Sequence, residues 1–151
     1  MKRMLFVCTG NTCRSAMAEM YLNHMVKTKK INITADSAGV MAAKNSKMSE
    51  FAQQVLKEKK IKIDNYFRSK QISLKHVNEN DIILCMEISH KMYVLQHYPS
   101  AQNKVYTLNE YAKTGNDNIS DPMGFDIKSY KKTFNKIKKA IDNIIKKENS
   151  K

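Results

Sequence analysis

The sequence predicts an α/β fold in which helices flank a parallel β-sheet. Short apolar runs alternate with segments whose apolar residues recur at helical spacing, which is the pattern of consecutive βαβ units. The 151 residues suffice for one domain with one sizeable core. With only two prolines and four glycines, no linker-like stretch divides the chain. We therefore expect a single domain over residues 1–151.

Four apolar runs indicate the strands of this sheet. In chain order they cover 4–7, 31–35, 81–86 and 104–108. Helical periodicity is found in 15–26, 48–60, 88–98 and 127–147. Pro99 ends the third of these helices, because a residue before proline avoids helical backbone angles. The last helix has an apolar stripe that we expect to be buried, formed by Ile137, Ile141, Ile144 and Ile145.

The charge balance is strongly basic, with a net charge of +13 from 27 basic and 14 acidic residues. Much of the excess is lysine on apparent helix faces, and the chain has no aromatic motif of the RNA-binding type. No apolar run approaches the ~20 residues that a membrane-spanning helix needs. The apolar run near the start is too short for a signal peptide. We expect a cytoplasmic protein with no nucleic-acid partner and no membrane partner.

The cysteines and histidines do not indicate a metal site. Cys8, Cys13 and Cys85 form no C-x-x-C pair, and the four histidines lack metal-ligand spacing. An odd number of cysteines in a chain of this size also argues against a disulfide framework. We therefore expect no metal and no cofactor.

Two connections in the chain are irregular. One is the turn from the first strand into the first helix, and the other is 113–124, which contains Asp121 and Pro122. Ligands of open α/β sheets bind at the carboxyl ends of the strands. The first connection lies at such an end by definition, and we expect the second to reach it.

The first connection, residues 8–15, has the features of a phosphate-binding loop. A loop that enters a helix points several backbone N–H groups into one concavity, beside the partial positive charge of the helix N-terminus. Gly10 permits backbone angles that other residues resist, and Asn11 tolerates a left-handed conformation. Arg14 offers a planar fork of donors to two phosphate oxygens.

Cys8 and Asp121 are the candidate reactive groups. Free cysteine has a pKa of ~8.5, and a helix N-terminus with a nearby cation lowers it. We expect Cys8 to be an ionised nucleophile at neutral pH, with Ser15 donating a hydrogen bond to its sulfur. Asp121 would protonate the leaving group and then activate water, although Asp-Pro pairs also mark ordinary turns.

The phosphate loop of the low-molecular-weight protein tyrosine phosphatases resembles a segment of this chain. That segment is Cys8-Thr9-Gly10-Asn11-Thr12-Cys13-Arg14-Ser15, followed by Met17-Ala18-Glu19. Ser37-Ala38-Gly39 resembles the supporting segment of that family, and Asp121-Pro122 before the last helix resembles its general-acid loop. The resemblance spans nearly the full length of the chain.

The resemblance implies a four-stranded parallel sheet flanked by helices and a metal-free mechanism with a phosphocysteine intermediate. It makes Cys8 the nucleophile, Arg14 the transition-state clamp and Asp121 the general acid and base. Phosphorylated proteins or peptides would be substrates, and inorganic phosphate the product. The resemblance also implies that Cys8 and Cys13 can pair after oxidation. The substrate-binding residues would be Thr9, Gly10, Asn11, Thr12, Cys13 and Ser15, with Ser37 and Pro122 in support.

Two departures from the family pattern bear on the substrate. Many members have isoleucine where this chain has Thr12, and an aromatic residue where it has Met123. An apolar wall suits a phenyl ring, whereas a hydroxyl suits the planar, polar guanidinium of phosphoarginine. In this respect the chain resembles the bacterial branch of the family that acts on phosphoarginine in proteins, which carries threonine at the position of Thr12. The sequence favours phosphoarginine, with phosphotyrosine as the second substrate class.

Two other functions compete with a phosphatase. A thioredoxin-coupled arsenate reductase has a similar fold and loop, but it needs two further cysteines after the third strand. The segment 86–90 contains none, and Cys85 lies within an apolar run typical of a core position. A module that only binds phosphate would not need both Cys8 and Asp121, and an assay of aryl phosphate hydrolysis separates it from an enzyme.

Overall fold

A four-stranded parallel sheet forms the centre of the computed structural model, which describes residues 1–150. Its strands are β1 (Lys2–Cys8), β2 (Ile33–Gly39), β3 (Ile82–Cys85) and β4 (Val105–Thr107). Their order across the sheet is β2-β1-β3-β4. The chain leaves β1 for the neighbour on one side and later returns to its other side. This reversal opens a crevice at the carboxyl end of β1.

Helices cover both faces of the sheet. They are α1 (Arg14–Lys29), α2 (Glu50–Glu58), α3 (Leu74–Glu79), α4 (Ile88–His97), α5 (Leu108–Ala112) and α6 (Ile127–Asn149). A 3₁₀ turn, Pro99–Ala101, follows α4 at the predicted proline stop. The short helices α3 and α5 are absent from the sequence-based prediction, because five or six residues do not display a full apolar period. No helix within the described residues is both long and apolar enough to cross a membrane.

Strand β1 is buried on both faces, as expected of a central parallel strand. Met4, Phe6 and Cys8 contribute to the core shared with α1, α2 and α6. Leu5 and Val7 contribute to the opposite core, beside α3 and α4. Complete burial of a large apolar side chain stabilises the fold by about 1.5–3 kcal/mol. The strand that ends in Cys8 is therefore fixed from both sides.

Strand β2 differs from its predicted range, 31–35. It pairs with the whole of β1, from Lys2 opposite Ile33 to Cys8 opposite Gly39. Polar Asp36 interrupts the apolar run, so local composition does not show where the strand ends. The parallel partner sets that end instead.

Helix α6 closes the sheet face that carries α1 and α2. Its apolar stripe is buried as predicted and includes Phe134, Ile137 and Ile141. At its N-terminus the side chain of Asp126 accepts a hydrogen bond from Ser129 N at 3.1 Å. The predicted single α/β domain is confirmed. Its extent over 1–151 stays a prediction, because Lys151 lies outside the described residues.

Candidate active site

The loop of residues 8–15, called the phosphate loop below, lies in the crevice between β1 and α1. Asn11 adopts a left-handed conformation with φ 58°, whereas Gly10 is not among the residues with positive φ. A Cβ atom added to Gly10 would meet only Thr12 Oγ1, at 3.8 Å. The expectation that Gly10 supplies an unusual backbone angle is therefore wrong, and Asn11 supplies it.

The end of β2 packs directly against the phosphate loop. A Cβ atom on Gly39 would lie 2.5 Å from Thr9 O and 3.1 Å from Asn11 N. Val40 N, the next amide, donates a hydrogen bond to Cys8 O at 2.9 Å. Only a residue without a side chain permits this approach. The resemblance pointed to this segment, and the close backbone approach is the physical reason for its glycine.

The Asn11 side chain connects the phosphate loop to two other segments. Its Nδ2 donates to Ser15 Oγ at 2.8 Å and to Ser37 Oγ at 2.9 Å. Its Oδ1 accepts a hydrogen bond from Lys70 N at 3.0 Å. An amide NH₂ group has two hydrogens, and both are used here. The structure thus brings together Asn11, Ser15 and Ser37, as the resemblance implies.

The sulfur of Cys8 lies at the bottom of the loop and is buried. It lies 2.9 Å from Ser15 Oγ, and Asn11 N donates to it at 3.3 Å. Ser15 Oγ already accepts from Asn11, so its own hydrogen is available for the sulfur. Two donors directed at one sulfur suit a thiolate.

Opposing influences act on the pKa of Cys8. The net effect is upward: burial, the largest influence, raises the pKa of the Cys8 thiol above its ordinary value, although the hydrogen bonds from Ser15 and Asn11 and the charge of Arg14 lower it. The N-terminus of α1 acts in the lowering direction as well. The sequence-based expectation considered only the lowering influences. Ionisation of Cys8 at neutral pH therefore stays a prediction.

Arg14 begins α1 and is almost fully buried, at 1% exposure of the residue. Nη1 donates to Glu87 Oε2 at 2.5 Å and to Ile119 O at 2.8 Å, and Nη2 donates to Thr9 Oγ1 at 3.4 Å. Among residues 1–150, Nε is a buried donor without a hydrogen-bond partner. A buried donor normally has an acceptor, and here an anion in the loop would provide one.

Glu87 and His90 belong to this site, although sequence reasoning did not identify them. His90 Nδ1 accepts a hydrogen bond from Glu87 N at 3.0 Å, so its Nε2 carries the hydrogen and donates to Thr9 Oγ1 at 2.9 Å. Burial, together with the charge of Arg14, lowers the pKa of His90 to about 4. The imidazole is thus neutral at pH 7. The sequence feature that could have identified these two residues is a Glu and a His three positions apart, directly after a strand.

The second irregular connection, predicted over 113–124, covers 113–126 between α5 and α6 and is called the acid loop below. It reaches the crevice as predicted, because Ile119 N donates to Met86 O at 2.9 Å. Asp121 Oδ2 lies 3.7 Å from Arg14 Nη2, and Asp121 Oδ1 accepts from Met123 N at 3.0 Å. The Asp121 side chain is 42% exposed, whereas the adjacent Pro122 is buried. The carboxyl group can therefore exchange protons with water while its turn is held in place.

Thr12 and Cys13 occupy the outer part of the phosphate loop. Thr12 is half-buried, and its hydroxyl has a long contact of 3.8 Å with Cys13 Sγ. Cys13 Sγ donates to Ser49 Oγ at 3.4 Å and lies 3.5 Å from Tyr130 Oη. The Cys13 side chain is therefore engaged by α6 and the cap of α2. It can contribute to phosphate binding through its backbone, and its pairing with Cys8 stays a prediction.

Comparison with known proteins finds a matching family and relatives that are named phosphatases. The family model described as low molecular weight phosphotyrosine protein phosphatase matches residues 3–151. A protein-arginine-phosphatase of Geobacillus stearothermophilus is 36% identical over 146 residues, covering 96% of this chain and 95% of the relative. The low molecular weight protein-tyrosine-phosphatase PtpB of Staphylococcus haemolyticus is 35% identical over 135 residues, covering 89% and 91%.

A solved structure extends the likeness to the fold. It is a cysteine-to-serine mutant of the YwlE arginine phosphatase with a phosphorylated active-site serine. It superimposes with a TM-score of 0.91 at 31% identity, covering 96% of this chain and 94% of that one. On the family match, these relatives and the shared fold, the chain belongs to the low molecular weight phosphotyrosine protein phosphatase family, whose members are hydrolases.

Proposed function

We propose that this protein hydrolyses phosphoarginine side chains in proteins through a phosphocysteine intermediate, with phosphotyrosine as the second substrate class. The observation that carries the choice of substrate is the Thr12 hydroxyl. It lies in the outer part of the phosphate loop, and its only hydrogen-bond contact within residues 1–150 is a long one to sulfur. A relative that is 36% identical is named a protein-arginine-phosphatase, which supports the same choice.

In the first proposed step, the thiolate of Cys8 attacks phosphorus, and the bond from phosphorus to the guanidinium nitrogen breaks. Asp121 gives its proton to that nitrogen. Arg14 Nε and the amides of the phosphate loop bind the phosphoryl oxygens, where negative charge must be stabilised. The buried hydrogen bonds of Arg14 fix the guanidinium before the substrate binds, so little reorganisation remains for the reaction itself.

In the second proposed step, the phosphocysteine is hydrolysed. Asp121, now a carboxylate, takes a proton from water as the water oxygen attacks phosphorus. The S–P bond breaks, inorganic phosphate leaves, and Cys8 returns as a thiolate that the Ser15 hydroxyl stabilises. The half-exposed position of Asp121 suits both proton transfers, because substrate and water can reach it in turn.

The acidic side chains at the crevice also suit a guanidinium substrate. The side chains of Asp121 and Glu87 are 42% and 28% exposed, so both present carboxyl oxygens toward solvent beside Arg14. The N–H groups of phosphoarginine require acceptors, and a phenyl ring offers no such groups. We also propose a cytoplasmic location, because the three cysteines are free, as is usual in a reducing compartment.

Thr12→Ile tests the proposed substrate class. Leaving the polar nitrogen plane of phosphoarginine unpaired beside an apolar side chain costs on the order of 1–3 kcal/mol, or roughly a ten- to hundredfold loss in kcat/KM. Activity on phosphotyrosine should rise modestly, because isoleucine adds apolar contact with the ring. The measurement is kcat/KM for matched phosphoarginine and phosphotyrosine peptides.

Two further variants separate recognition of the substrate by Thr12 from a purely structural role of Thr12 in the loop. Thr12→Ser keeps the hydroxyl and should keep the preference for phosphoarginine. Thr12→Val keeps the shape of the side chain, removes the hydroxyl and should lose that preference. If the ratio of the two activities is the same in all these variants, Thr12 does not select the substrate and phosphotyrosine becomes the preferred class.

A further inference from the structure

Glu19 is a buried carboxyl group on α1 that the mechanism above does not use. Its side chain accepts a hydrogen bond from Ser37 Oγ at 2.6 Å. Ser37 Oγ in turn accepts from Asn11 Nδ2 at 2.9 Å. Because Asn11 uses the hydrogen in that contact, the hydroxyl hydrogen of Ser37 is the one directed at Glu19. The donor directions therefore run from Asn11 through Ser37 to Glu19.

The other hydrogen of the same amide leads to the reactive sulfur. Asn11 Nδ2 donates to Ser15 Oγ at 2.8 Å, and Ser15 Oγ lies 2.9 Å from Cys8 Sγ. Asn11 is thus the branching point of one buried network with two terminal acceptors, Cys8 and Glu19. The backbone of Asn11 adopts the left-handed conformation that shapes the loop. Each terminal acceptor is linked to Asn11 through a single serine, Ser15 for Cys8 and Ser37 for Glu19.

We infer that Glu19 is a positioning residue for the phosphate loop, whose carboxylate orients the Ser37 hydroxyl so that Ser37 Oγ holds the side chain of Asn11. The inference rests on the proposed function, because it assigns the network a part in turnover. Glu19 does not touch the substrate. It acts through Ser37 and Asn11 on the concavity that receives the phosphoryl group.

The surroundings of Glu19 make this role dependent on pH. Burial raises the pKa of Glu19 to about 7; the hydrogen bond from Ser37 opposes this, and Asp36 adds to it. Lys70, whose ammonium lies 2.6 Å from Asp36 Oδ1, lowers the pKa, and Asp64 raises it. Glu19 also lines a cavity of about 320 Å³. The other titratable side chains that line this cavity are His24, Lys27, Lys62 and Asp64.

Loop order and global stability should respond to this proton in opposite directions. Below about pH 7 Glu19 carries a hydrogen of its own, so it no longer requires Ser37 as a donor and the loop is held less firmly. The folded state keeps this proton between pH 4.5 and about 7, where the unfolded chain releases it. The free energy of unfolding therefore falls as pH rises through that window, while order in the loop increases.

The test compares Glu19→Gln and Glu19→Leu with the wild type from about pH 5 to about pH 9, a range that spans the titration of interest. Glu19→Leu removes the acceptor and should lower kcat/KM by about tenfold, mainly through kcat. Glu19→Gln keeps an oxygen acceptor but cannot titrate. It should lower kcat/KM less than Glu19→Leu and should remove the step near pH 7 from the pH profile.

Two control variants make the result specific. His24→Gln changes the same cavity without a link to Ser37 and should keep the step in the profile. In a Ser37→Ala background, Glu19→Gln should have no further effect on kcat/KM, because the link to Asn11 is already cut. A step that persists in Glu19→Gln, or effects of Ser37→Ala and Glu19→Gln that simply multiply, would overturn the inference.

A readout without turnover separates this inference from the proposed function. The rate of Cys8 alkylation by iodoacetamide should show the same step near pH 7 in the wild type and lose it in Glu19→Gln. If the wild type hydrolyses neither phosphopeptide, the proposed function fails while the alkylation profile still tests Glu19. If Glu19→Leu does not fold, judged by its circular dichroism, Glu19→Gln and Ser37→Ala carry the test.

Discussion

The phosphate loop is enclosed and hydrogen-bonded from several segments, whereas the acid loop presents its side chains to solvent. Asn11 and Arg14 are 0% and 1% exposed, while Met123 and Phe125 are 54% and 66% exposed. In the proposed mechanism Cys8 and Arg14 must have the right geometry before the substrate arrives, and they lie where neighbouring segments restrain them. In the same mechanism Asp121 exchanges protons with substrate and then with water, so it needs access. One crevice combines both requirements by taking its two loops from distant parts of the chain.

The largest expected effect on turnover is that of a substitution in the phosphate loop. Cys8→Ser should lower kcat by at least ~10⁴-fold, because the nucleophile is lost. It should leave phosphate binding largely intact, since the remaining donors of the cradle are Arg14 and backbone amides. Turnover and calorimetric titration with inorganic phosphate measure the two properties separately. Substantial activity in a contaminant-free preparation would rule out Cys8 as the nucleophile.

The corresponding substitution in the acid loop should slow some substrates more than others. Asp121→Asn should lower kcat by roughly 10²–10⁴-fold for substrates with poor leaving groups, the usual range of general acid catalysis. Aryl phosphates with good leaving groups should lose less, because they need little protonation. The measurement is kcat of the wild type and of Asp121→Asn for both types of substrate. Equal slowing of both types would assign the acid to another residue.

Two glycines at the phosphate loop differ in the space that an added methyl group would have. Gly39→Ala places a methyl group 2.5 Å from Thr9 O, so the phosphate loop must move. Overpacking of this kind costs about 1–3 kcal/mol, and we expect a roughly ten- to hundredfold loss in kcat/KM. Gly10→Ala should lose less, because its methyl group would meet only Thr12 Oγ1 at 3.8 Å. Kinetics and thermal unfolding of the matched pair measure the effect, and equal losses would contradict it.

The sequence predicts the parts of this site that rest on local chemistry. A strand, a turn with Asn11 and an Arg-Ser pair suffice to predict where the loop between β1 and α1 lies, and the Asp-Pro pair suffices to predict that Asp121 reaches the same crevice. Glu87 and His90 could not be assigned in the same way. They lie more than 70 residues from Arg14 in sequence and become functional neighbours only through the pairing of β1 with β3.

The fold shows the same division between local and non-local information. The long amphipathic helix α6 was predicted nearly to its ends, because its own periodicity defines it. The end of β2 was not, because pairing with β1 determines it. The pKa of Cys8 is a further example, since its burial depends on helices that pack from distant segments.

The position of α6 has a consequence for how the protein becomes active during synthesis. The phosphate loop is completed within the first 15 residues, but Tyr130, which contacts Cys13, and Phe134, which packs on Tyr21, are translated more than a hundred residues later. The last helix also pairs with the first strand through Glu148 and Lys2, at 3.0 Å. Since a domain of this kind folds as a unit, a nascent chain on the ribosome would carry its nucleophile long before it could use it. Activity should therefore appear only once α6 has left the exit tunnel.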